Sequence, residues 1–168
     1  MEQLKGRDLL VLFKLCGAKK EGWNFRELAS ALGISVSQVH ESLARAAKGR
    51  LYAPATRAIN REALWKIVVA IPHLFPPELL GPKIGLATAH SASPLRQELA
   101  KGGEDFVWPV RGGKQKGQGL EPIAKTVPES CRKDESLHEI LSLVDALRVG
   151  KARERELAER FLKERIVG

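Results

Sequence analysis

The sequence predicts a mainly α protein, and three observations carry that expectation. Apolar residues recur three and four positions apart over several stretches, which puts them on one face of a 3.6-residue period. Two capping signals, Asn24 with Glu27 and Ser35 with Gln38, each open a periodic run that ends at a glycine, Gly33 and Gly49. Strand-like runs are short and few, around Tyr52, Phe106 and Leu120.

In chain order, residues 5–15 read as a first helix with Leu9, Leu10, Leu12, Phe13 and Cys16 on its apolar side and Gly17 as its stop. Asn24 opens a second helix that runs to Leu32, and Ser35 a third that runs to about Lys48. Residues 50–59 suit a short strand or an abbreviated hairpin around Pro54. Asn60 caps a fourth helix, whose Ala63, Leu64, Ile67, Val68 and Ile71 share a face.

Pro72, Pro76, Pro77 and Pro82, with Gly81 and Gly85, mark residues 72–94 as an irregular connection. That divides the chain into an N-terminal domain at residues 1–71 and a C-terminal part at residues 95–168. A short helix is expected from Ser93 or Pro94 to Ala100, and strands at residues 106–110 and 120–127. Between those strands, residues 111–119 hold four glycines, three basic residues and no acid, the composition of a mobile loop. From Ser136, with Glu139 three residues on, helical spacing returns to Leu147, and Gly150 separates this helix from another ending near Ile166, an αα-hairpin.

The 168 residues suffice for one core with extensions or for two small domains. Hydrophobic residues at 43% and charged residues at 29% are ordinary globular usage. The longest apolar candidate, residues 63–74, is interrupted by Lys66, Pro72 and His73, too short and too polar for a membrane span. No signal-peptide pattern opens the chain, so a cytoplasmic protein is expected. Its two cysteines, Cys16 and Cys131, then remain reduced, with no Cys-x-x-Cys metal signature. The net charge is +8, and residues 1–70 carry twelve Lys and Arg against six Asp and Glu. Positive charge concentrated on one part is the footprint of a polyanion binder, because each neutralised phosphate releases counterions.

Residues 24–43, Asn-Phe-Arg-Glu-Leu-Ala-Ser-Ala-Leu-Gly-Ile-Ser-Val-Ser-Gln-Val-His-Glu-Ser-Leu, resemble the helix-turn-helix of bacterial winged-helix transcriptional regulators and are similar to MarR-like domains. Ala29 stands where the two helices would cross, and Gly33 supplies the permissive backbone of the turn. The resemblance implies a winged-helix-like helix-turn-helix domain that binds duplex DNA. Ser35, Ser37, Gln38, His40, Glu41, Arg45 and Lys48 would then face the major groove or its phosphates, and Arg50, Arg57 and Arg61 the backbone beside it. The stretch from Arg50 to Arg61 departs from the pattern, being short for a wing and interrupted by Pro54. Residues 145–158 resemble a segment of uncharacterised bacterial regulators, some associated with toxin or phage-defence genes, and this assigns no residue roles.

Arg111, Lys114 and Lys116 in the glycine-rich segment offer a second phosphate contact, with a plain solvated loop as the equal alternative. The stripes Leu137, Ile140, Leu141, Val144, Leu147 and Leu157, Phe161, Ile166 hold more apolar surface than two short helices bury between themselves. A homodimer or partner interface is therefore expected there. His40, His73, His90 and His138 lack metal-ligand spacing, and no nucleophile motif occurs, so no enzyme and no cofactor is expected. The resulting expectation is a dimeric, DNA-binding repressor acting by operator occupancy. The alternative is a protein-interaction module, an antitoxin or assembly adaptor whose C-terminal helices hold a second protein such as a toxin.

Overall fold

A computed structural model describes residues 3–17, 22–100 and 102–168 of the chain. Near the centre of its core lies helix α7 (Glu135–Val149), buried at every position from Ile140 to Leu147, as a helix apolar on more than one face must be. Around it pack α1 (Gly6–Gly17), α4 (Arg61–Leu74), α6 (Val127–Arg132) and α8 (Ala152–Ile166), together with strand β3 (Leu79–Thr88) and the 3-10 turn Ala89–Ser91. The N-terminal elements continue with α2 (Phe25–Leu32), α3 (Val36–Lys48) and the two-stranded hairpin β1 (Tyr52–Ala53) and β2 (Ala58–Ile59). The remaining elements are α5 (Leu95–Glu98), β4 (Phe106–Pro109) and β5 (Gln115–Leu120). The fold is mainly helical with two small sheets.

A single apolar cluster joins Leu9–Phe13 of α1 to Leu64, Val68 and Ile71 of α4 and to the apolar faces of α7 and α8. This corrects the interface assigned to the C-terminal helices. Leu137, Ile140, Leu141, Val144, Leu147, Leu157 and Ile166 are at most 6% exposed, and Phe161 is half-buried against the same cluster. Their cover comes from α1 and α4, elements more than 60 residues away in sequence, which a count of the two helices alone leaves out.

The stretch expected to be irregular is built otherwise. Helix α4 runs on through Pro72 in its last turn, and β3 then spans ten residues. β3 pairs antiparallel with β5 over Leu79–Gly85 and with β4 over Gly85–Thr88, and β4 and β5 close the small barrel in parallel. Pro82 pairs with β5 alone, so its missing N–H costs no ladder bond on the other side.

Nor is the glycine-rich segment a free loop, since residues 115–120 are β5. Its glycines permit close backbone approach: a Cβ on Gly117 would lie 2.7 Å from the Asp105 carbonyl oxygen, and one on Gly85 across the sheet 1.8 Å from that of Trp108. The strand expected at 120–127 ends at Leu120, and Val127-Pro128 instead starts α6, with proline at a first-turn position where no N–H is needed.

Where the small barrel meets α7, buried polar groups tie the elements together. Asp145 accepts from Thr88 Oγ1 at 2.7 Å, Trp108 Nε1 at 2.6 Å and Arg148 Nη1 at 2.8 Å. Burial pushes the Asp145 carboxyl above its ordinary value, while the Arg148 guanidinium and the Thr88 and Trp108 donors pull it back. Arg148 also donates to the carbonyls of Phe75, Pro76 and Glu121, binding the end of α4 to the end of β5. Among the described residues no helix is long and apolar enough to cross a membrane.

Candidate nucleic-acid interface

Local chemistry alone accounts for the α2–α3 pair. Asn24 Oδ1 accepts from the Glu27 N–H at 2.8 Å, which satisfies an otherwise orphaned donor at the start of α2. Gly33 ends that helix at φ 65°, and its N–H bonds back to the carbonyls of Ala29 and Ser30. Two residues later Ser35 and Gln38 form a reciprocal capping box, each 3.0 Å bond running from one residue's backbone N–H to the other's side chain. Leu28, Ala29, Leu32, Val39 and Leu43 are buried between the helices.

What remains outside on α3, besides Val36 at its first position, is Ser37, Glu41, Ala44 and Lys48, a stripe at helical spacing that is exposed throughout, with His40 on its flank. The helix is held from behind. Arg45 donates from Nε and Nη2 to the two carboxylate oxygens of Asp8, both at 2.8 Å, and Asp8 is fully buried. Arg7 of α1 reaches Ser42 Oγ at 3.1 Å and Glu41 Oε2 at 3.0 Å.

The β1–β2 hairpin sits beside α3 and is fastened by aromatic stacking. Arg57, at φ 56°, donates to the Trp23 carbonyl at 3.1 Å and lays its guanidinium 4.5 Å from the centroid of the Trp23 ring. Trp23 meets Phe25 edge-on, and Phe25 stacks on His40 with centroids 4.1 Å apart. A shallow pocket of about 320 Å³ opens between this stack, α3 and Tyr52.

The residues singled out in the sequence therefore divide. Ser37, His40, Glu41, Lys48 and Arg50 gather on the outer face of α3 and at its C-terminal end, with Arg57 beside them. Ser35 and Gln38 use their side chains as caps, and Arg45 is an anchor to Asp8. Arg61 donates to the carbonyls of Ile166 and Cys16, so it ties α4 to α8 and α1. Arg111, Lys114 and Lys116 are exposed on and before β5, with the Arg111 carbonyl bonded by Arg132.

Sequence reasoning passed over Arg7 and the Trp23–Phe25 pair. Trp23 carried a readable signal, an apolar residue just before an N-cap with Leu28 at the staple position four residues into the helix. Arg7 carried none, because its partners lie 34 and 35 residues away.

Burial, with Asp145 and Asp134 adding to it, pushes the Cys131 thiol far up, and His138 Nε2 is bonded to the Ala87 carbonyl. Among the described residues no group of three His, Cys, Asp or Glu could hold a metal ion. No protein-family model, curated protein or solved structure matches the chain.

Proposed function

We propose that this protein binds duplex DNA through a winged-helix-like helix-turn-helix, with α3 in the major groove and the β1–β2 hairpin against the backbone beside it. The observation that carries the reading is the exposed stripe on α3, presented by a helix whose start is capped twice over and whose back is fixed by Arg45 to Asp8. A polar helix face held this firmly meets the need of a reader whose side chains must reach base edges in one register.

On this reading Ser37, His40 and Glu41 reach base edges, Glu41 as an acceptor for a cytosine amino group, and Lys48, Arg50 and Arg57 hold phosphates. The hairpin, with strands of two residues, is too short to enter a minor groove and serves as a backbone contact. Repression by operator occupancy, a cytoplasmic location and the absence of catalysis belong to the same proposal. A two-fold dimer, which paired half-sites favour, would need a surface other than the buried faces of α7 and α8. The alternative of an antitoxin or adaptor docking its partner on those faces has less support, since they lie in the core.

Titration of the protein with labelled duplex, after selection of sites from a random pool, tests the reading. Replacing Lys48 and Arg50 together with glutamate should lower affinity for all duplexes and reduce the slope of log K against log salt by about 2. Ser37→Ala or Glu41→Ala should instead relax preference at one or two base positions. Salt-independent binding, or a selected pool with no shared sequence, would overturn it.

A further inference from the structure

A polar cavity of about 250 Å³ lies between the 3-10 turn, α5, residues 102–105 and the start of β5, and the DNA reading makes no use of it. Its wall holds groups with bonding capacity to spare. Among the described residues Arg96 has no ion pair and no side-chain hydrogen bond. Asp105 accepts from Ser91 Oγ at 2.9 Å through Oδ1, and its other oxygen has no partner among those residues. His90 turns Nε2 to the Glu104 carbonyl at 2.8 Å, while its Nδ1 is buried without a hydrogen bond, Glu154 Oε1 lying 3.0 Å away but badly aligned. The residue before it, buried Ala89, is held at φ 56°, a conformation costly for a side chain with a Cβ.

Among the described residues that line it, one cation and one anion that do not pair with each other, in a small cavity also walled by Leu99 and Ala100, complement a zwitterion with a short apolar part. A polyanion would meet Asp105, and a polycation would meet Arg96. The volume equals about eight water molecules of liquid, room for a ligand of roughly six to ten non-hydrogen atoms. We propose that the cavity binds a small free α-amino acid. Its carboxylate pairs with Arg96, its ammonium with Asp105, and its side chain lies toward Leu99 and Ala100. Gln115 and the His90 ring supply further polar contacts around it.

Thermal unfolding and calorimetric titration of the intact chain, without DNA, test this independently of the DNA reading. The probes are glycine, alanine, serine and leucine, with acetate and ethylamine as half-ligands. At a hundredfold excess over Kd, the best amino acid should raise Tm by about 5–10 °C, and neither half-ligand at equal concentration should raise it by more than about 1 °C. Arg96→Gln and Asp105→Asn, both at exposed positions, should leave the unliganded Tm within about 2 °C and each weaken binding at least about tenfold. The proposal is overturned if no amino acid binds, if acetate binds as tightly as alanine, or if either variant binds as the parent does.

Discussion

Replacing Asp145 with alanine removes the acceptor shared by three buried donors, and the cost can be worked group by group. Trp108 Nε1 and Thr88 Oγ1 lose their bonds in a region where both residues are fully buried, at about 1–2 kcal/mol each. Arg148, whose side chain is 3% exposed, loses its carboxylate but keeps the carbonyls of Phe75, Pro76 and Glu121, so its share is nearer about 1–2 kcal/mol than the full penalty of a stranded charge. The total is about 4 kcal/mol, within the 3–5 kcal/mol typical of breaking a buried pair. With m near 2 kcal/mol/M, the urea midpoint should fall by about 2 M. Tryptophan fluorescence and far-ultraviolet circular dichroism should report the same transition, which checks two-state behaviour. Asp145→Asn keeps an acceptor oxygen and should fall about halfway. A loss below about 1 kcal/mol with m unchanged would refute the view that this carboxylate holds the small barrel to α7.

Other substitutions separate anchoring from contact. Gly117→Ala pushes a Cβ against the Asp105 carbonyl and should cost about 1–3 kcal/mol by urea titration, whereas Gly102→Ala, open within 4 Å, should stay within about 0.5 kcal/mol. Arg45→Ala removes the charge partner of the buried Asp8 carboxylate, which keeps the bond from the Lys5 N–H, and should destabilise by about 3 kcal/mol, with duplex affinity of the folded fraction little changed; a large loss of affinity at unchanged stability would make Arg45 a contact instead. Burial works against the charge of Asp134, but the bond from Lys14 and the Leu137 N–H outweigh it and hold the carboxyl below its ordinary value. The stability it contributes is present above the ordinary carboxylate value and is lost as pH falls through the depressed one. Lys14→Met should therefore cost about 1 kcal/mol at neutral pH and almost nothing once Asp134 is protonated in both states, a difference that urea titrations at the two pH values measure directly.

The helices of the N-terminal half were legible because their signals are local. Asn24, Ser35 and Gly33 act within four residues of where they stand, and each appears in the structure in the role its spacing implies. The small barrel was hidden for the opposite reason. Pro82, Gly85 and Gly117 read as breakers when their neighbours in sequence are considered, yet β3 and β5 pair across about 35 residues. What makes glycine necessary at positions 85 and 117 is a carbonyl on another segment, Trp108 and Asp105.

By itself the sequence determined where α2 and α3 begin and end, and that α3 has a polar side, because caps and periodicity are short-range terms; α7, expected to open at Ser136, is capped earlier, by Asp134, whose Oδ1 accepts from the Leu137 N–H. Which cations face solvent was decided only by tertiary structure. Arg45, Arg61 and Arg148 look alike in sequence to Lys48 and Arg50, but Asp8, the Ile166 carbonyl and the Phe75 carbonyl bring them inside. The same holds for the stripes of α7 and α8, which became core because α1 and α4 cover them. Burial and ion pairing sum over neighbours in space, and for these residues the decisive neighbours lie 37 to 105 positions away.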